Sequence, residues 1–125
     1  MTPTTAEARS LLTAMSAARA GWGALQVLAP TVMGRQLFSD DAERSATLLR
    51  MKGVRDLAMG LGTLGAADDA LTEWLQAGVV VDAVDTITTI VDRGRTMRPR
   101  TILLGTAAGI GSILVGLAAL DALDR

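Results

Sequence analysis

The sequence contains no cysteine and no histidine. Disulfides, thiolate nucleophiles, histidine-based triads and the common zinc sites are therefore excluded, and no metal or cofactor is expected. Aromatic residues are nearly missing as well: Trp22, Trp74 and Phe38 stand alone, without any tyrosine. Alanine, leucine, glycine and valine dominate instead, which favours close-packed helices over sheets. Lys52 is the single lysine, so arginine carries the positive charge, and the net charge of −1 gives no reason to expect a nucleic-acid partner. The N-terminus lacks a basic region and a small-x-small cleavage site. Glu7 and Arg9 stand there, and Arg19 interrupts the apolar run that follows, so a secretory signal peptide is not expected.

What the chain does have is length for four helices in one domain, 1–125, and half its residues are apolar. The pattern predicts helices over about 6–29, 43–67, 70–92 and 101–123. Thr4 or Thr5 is placed to cap the first, and Pro30 to stop it. A polar connection follows, holding Gly34, Arg35 and the acidic pair Asp40 and Asp41, with Ser39 or Asp41 as the next cap. The second helix carries a glycine series, Gly53, Gly60, Gly62 and Gly65. Asp68 and Asp69 make the next turn, with Asp69 as the expected cap of the third helix. The basic run from Asp92 to Arg100 separates the third helix from the fourth.

Residues 101–120 are uncharged and apolar on every face, the length of about 20 needed to cross a bilayer. Residues 10–29 resemble a second span interrupted by Arg19. The middle two helices qualify only if their charges face inward. The expected fold is thus all-α, a four-helix transmembrane bundle running up-down-up-down, in the cell (inner) membrane as a multi-pass protein. The runner-up is a soluble helical protein that buries its fourth helix in an oligomer. Arg35, Arg44, Arg50 and Lys52 flank the first connection and four arginines fill the third, whereas the Asp68–Glu73 turn is acidic. The positive-inside rule places the basic connections in the cytoplasm and both termini outside.

Charges inside apolar stretches mark where function concentrates in membrane proteins. Loop arithmetic sets Arg55 opposite position 84, Arg19 level with about 54, and 82–85 opposite 107–110. Arg19, Arg55, Asp56, Asp82 and Asp85 then share one height, against small residues that include Gly109 and Ser112. Asp82 and Asp85 lie on one helix face. One reading makes Asp82 and Asp85 an acid/base pair acting on a lipidic substrate, with Arg55 and Asp56 in the catalytic group. Arg19, Trp22, Met59, Gly109 and Ser112 would line the substrate space. A second makes the layer a structural ion-pair network, Arg19 and Arg55 to Asp82 and Asp85, in an accessory membrane subunit. A third makes it an ion or proton pathway in a homo-oligomer. Three aspartates face two arginines, leaving one carboxylate over, unless Asp56 meets Lys52 four residues earlier.

Other motifs are weaker. Gly105-x-x-x-Gly109 is a helix-contact motif. Gly60-x-Gly62-x-x-Gly65 outlines a dinucleotide fingerprint without its preceding strand, and is set aside. Asp82-x-x-Asp85 resembles the metal-binding aspartates of terpene synthases, but lacks their aromatic surroundings. The segment from Arg50 to Gly62, RMKGVRDLAMGLG, is similar to the Gly-x-Arg-Asp-Leu-x-x-Gly signature of a family of small four-helix membrane proteins of unknown function. Arg19, Gly21, Gly23 and Pro30 match that family's layout in its first helix. The resemblance implies membrane helices and importance for Arg55 and Asp56, and no activity.

Overall fold

A computed structural model describes residues 5–38, 42–92 and 95–124, with the side chains of 42–44 left aside. The expected caps at Thr4, Ser39 and Asp41, the acidic pair at 40–41 and the linker residues Arg93 and Gly94 lie outside the described residues. The chain is all-α: α1 is Thr5–Leu28, α2 Pro30–Leu37, α3 Ala42–Gly65, α4 Asp68–Asp92 and α5 Pro99–Leu123. The four long helices begin and end within two residues of the expected bounds.

The four-helix transmembrane bundle is overturned on two counts. Among the described residues there are five helices, and of these only α4 and α5 are long and apolar enough to cross a membrane, with mean hydropathies of 1.3 and 2.1 over their best windows. Arg19 with its polar neighbours in α1, and Arg50, Lys52, Arg55 and Asp56 in α3, hold those two helices below that level. The extra helix comes from Pro30. Proline ends α1, but its fixed φ and missing N–H also suit a helix's first turn, and here it opens α2. Asp69 does not cap α4. The helix already begins at Asp68, so both aspartates sit in its first turn, where negative charge meets the positive end of the helix dipole.

Glycines set the α1–α3 crossing. A Cβ on Gly60 would stand 2.7 Å from the backbone of both Ser16 and Ala20, and one on Gly53 would stand 2.8 Å from the Gly23 carbonyl. Backbone meets backbone there, which only small residues permit. This pairing sets Arg19 level with about position 59, not 54, because α2 takes up chain that a simple turn would have left in the helices. Gly116 opposite Val79 and Gly109 opposite Thr86 likewise move the partners of 82–85 about three residues along α5.

The long helices adjoin in the cyclic order α1, α3, α4, α5, with α1 on α3 and α4 on α5 as the broad contacts and α3 on α4 a narrow one. A small apolar core of Leu12, Leu71, Leu75 and Ala119 closes the end near the acidic turn. Outside that core the other buried apolar residues are Leu49 and small alanines, and polar residues join them. Gln26, Ser45, Asp56 and Asp82 are buried, while Leu25, Val54, Ile87 and Leu103 are exposed.

Candidate functional site

Two facts of sequence bring the polar layer together. Arg19 and Gln26 are seven residues apart on α1, hence on one face, as are Asp82 and Asp85 on α4. Both faces turn inward. Arg19 Nη2 donates to Asp82 Oδ1 across the centre of the molecule, and the two side chains are only 17% and 11% exposed. Arg55 Nη2 donates to Asp85 Oδ2 at 2.6 Å, nearer the surface. Lys52 Nζ, one turn before Asp56, donates to Asp56 Oδ2 at 2.6 Å and lies 3.8 Å from Asp85. Gln26 Nε2 donates to the same Asp56 oxygen at 3.0 Å.

Each aspartate of the layer therefore has a cation, and Lys52 takes the carboxylate that two arginines would have left over. Hydrogen bonding is less complete: Gln26 Oε1 and Arg55 Nε are buried without a partner. Thr86 and Thr89 return their hydroxyls to the carbonyls of Asp82 and Asp85, at 2.7 and 2.8 Å, so their polarity is absorbed within α4.

The candidate lining residues divide. Ser112 reaches the layer, sharing a cavity with Arg19 and Asp82. Met59 and Arg19 both approach Gly78. Gly109 packs against Thr86. Trp22 does not take part: it stands at the edge of the inward face, about 60° around α1 from Arg19, and is 44% exposed. Trp74 is the aromatic residue at the site, lining the cavity and covering Gly62. Sequence reasoning also missed Gln26, Ser16 and Thr63. The seven-residue spacing from Arg19 to Gln26 was the available signal for the first.

The cavity beside Arg19 and Asp82 measures about 20 Å³. That is room for one water molecule and not for a hydrocarbon chain. A second, of about 120 Å³, adjoins it through Leu12, Ser16 and Thr63 and lies against the exposed Arg9–Asp68 pair. A lipidic substrate thus finds no support at the layer. Asp82 and Asp85, engaged with different cations, do not converge on a common ligand either.

Comparison with protein-family models, curated proteins and solved structures finds no match. The expected likeness of residues 50–62 to a membrane-protein signature is not matched by any family model. In the structure the segment supplies the α1 contact, through Gly53 and Gly60, and three of the layer's charges, Lys52, Arg55 and Asp56.

Proposed function

We propose that this chain is a membrane protein anchored by the α4–α5 hairpin, with a structural or accessory role in which the Arg/Asp layer fixes helix register. The observation that carries the reading is complete charge pairing beside a cavity the size of one water. A catalytic carboxylate needs a free face toward its substrate, and a clamp needs none. The burial pattern supports the membrane setting. In their most apolar windows α4 and α5 are only 17% and 11% buried, so neither is covered as a core helix within this chain. Apolar faces this open are stable in contact with lipid or with another chain.

The hairpin's two ends differ in charge. Its connection carries Arg95 and Arg98, with Arg100 just inside α5, and α4 opens with Asp68 and Asp69. The basic end is cytoplasmic in this reading and the acidic end faces out. Both the setting and the orientation are open to test, because the chain has no cysteine of its own. Single cysteines at Ala67 and Arg95 serve as reporters. In intact cells a membrane-impermeant maleimide should label Ala67→Cys alone, and Arg95→Cys only after permeabilisation. Alkaline carbonate should leave the protein in the membrane pellet; release into the supernatant would refute the membrane reading. Asp82→Asn should lower stability, and the structural reading fails if stability is unchanged.

A further inference from the structure

The polar layer explains one set of charges and leaves another unused. Arg35 in the last turn of α2, Arg95 and Arg98 in the connection and Arg100 in the first turn of α5 are all exposed at one end of the molecule. Among the described residues none of the four forms a salt bridge. Two of them, Arg98 and Arg100, are nevertheless tied to α2. The Arg98 backbone N–H donates to Leu37 O at 3.0 Å, beside an antiparallel bridge between Phe38 and Met97. Arg98 Nε and Nη2 donate to Arg35 O at 3.2 and 3.0 Å. Arg100 Nη2 donates to Gln36 O and Oε1, at 3.0 and 2.9 Å.

Every one of those acceptors is neutral. Carbonyls pin Arg98 and Arg100 in place without cancelling their charge, and Arg35 and Arg95 stand beside them. The Asp92 carboxylate at this end is folded into the connection, accepting from the Thr96 and Met97 N–H groups at 3.1 and 3.0 Å and from the Thr96 hydroxyl. The result is a preorganised cluster of like charge with guanidinium donors left over. A phosphate matches the planar donor fork of arginine.

Immediately next to the cluster the surface turns apolar. Leu28 at the end of α1, Val32 in α2, Val91 at the end of α4, and Leu103 and Leu104 at the start of α5 are all exposed. An oxyanion site bordered by an open apolar shelf fits a phosphate that carries acyl chains.

We infer that this arginine end is a binding site for the phosphate of an anionic phospholipid. The site rests on the membrane reading above. Arg35 and Arg95 supply charge without bracing the fold, and Arg98 and Arg100 both supply charge and hold α2 to α5. The soluble source of the same chemistry, inorganic phosphate, would satisfy the guanidinium groups but leave the shelf uncovered.

The test uses the full chain reconstituted in phosphatidylcholine vesicles, with spin-labelled phosphatidylglycerol or phosphatidylcholine as probe and the motionally restricted lipid fraction as readout. The phosphatidylglycerol label should associate preferentially. Arg35→Gln and Arg95→Gln should each cut that preference by up to about fivefold. Arg9→Gln, an equal charge change at the opposite end, should leave it alone. Inorganic phosphate in excess should not abolish it. Equal association of the two labels, an equal loss in Arg9→Gln, or displacement by inorganic phosphate would each overturn the lipid site while the membrane reading stands. Failure of the chain to enter phosphatidylcholine vesicles would overturn the membrane reading, and the lipid site with it.

Discussion

Removing one partner of the Arg19–Asp82 pair should be the most damaging single change in the polar layer. Both side chains are mostly buried, at 17% and 11% exposure, and each is the other's charge partner. Arg19→Met or Asp82→Leu alone leaves the opposite charge stranded in a low-dielectric interior, a loss of about 3–5 kcal/mol for a buried pair. The double variant removes both charges and both desolvation penalties. Its cost should fall far below the sum of the singles, to roughly 0–2 kcal/mol, because apolar replacements of a buried pair are often neutral. Arg55–Asp85 supplies the internal comparison. Its side chains are 40% and 29% exposed, so Asp85→Leu strands a less deeply buried arginine and should cost less than Asp82→Leu. The assay is equilibrium unfolding in detergent, read by helical circular dichroism and by Trp74 fluorescence, since Trp74 lines the cavity beside the pair. Additive single costs would refute the reasoning. So would an Asp85→Leu variant as damaged as Asp82→Leu, because burial would then not be setting the penalty.

The glycine contacts and the buried glutamine give further tests by the same assay. Gly60→Ala places a methyl 2.7 Å from the Ser16 and Ala20 backbone, which cannot yield, and should destabilise by about 1–3 kcal/mol. Gly21→Ala meets nothing within 4 Å and should stabilise α1 by up to about 1 kcal/mol; a loss there would mean that the outer face of α1 is covered. Gln26→Leu gives up the bond to Asp56 but also removes the orphaned Oε1. Its cost should therefore stay near 1 kcal/mol, and a loss as large as that of Asp82→Leu would show that Gln26 holds the Asp56 carboxylate more firmly than Lys52 does.

Much of the layer was legible because an antiparallel neighbour relation needs only a turn position and a count. Arg55 met Asp85 for that reason, across the short turn at Ala66–Ala67. Arg19 met its expected type of partner although its height was misjudged by about five residues. A long side chain absorbs such an error, and α1 lies diagonally across from α4, where a guanidinium has room to reach. The misjudgement itself traces to Pro30, read as an end and found to be also a beginning. Trp22 was placed wrongly although its spacing of three from Arg19 and four from Gln26 puts it on their stripe, because it stands at that stripe's edge and turns half out. Gln26 was overlooked because amide side chains do not break an apolar run as charges do, although its spacing from Arg19 put it on the same face.

The two broad contacts also explain why the charges sit where they do. α1 and α3 touch backbone to backbone through glycine and alanine, and α4 and α5 by seating the side chains of Thr86 and Val79 on Gly109 and Gly116, so each pair is closely packed. Between the pairs the apolar core lies at one end only, on Leu12, Leu71, Leu75 and Ala119. Farther along, α3 meets α4 narrowly, and beyond Trp74 over Gly62 and Met59 near Gly78 the gap is spanned by Arg55 and Lys52 toward Asp85, with Arg19 reaching Asp82 from α1. A seam that exposes leucine and valine outward has little apolar area left to bury inward. Lipid around those outer faces would remove the hydrophobic drive that joins helices in water, leaving packing and polar contacts to hold the pairs together. Charge pairs are directional where apolar contacts are not, and they tolerate only the register that brings each arginine to its aspartate. The same residues that look like an active site in the sequence are thus accounted for as the joint between two tightly packed helix pairs.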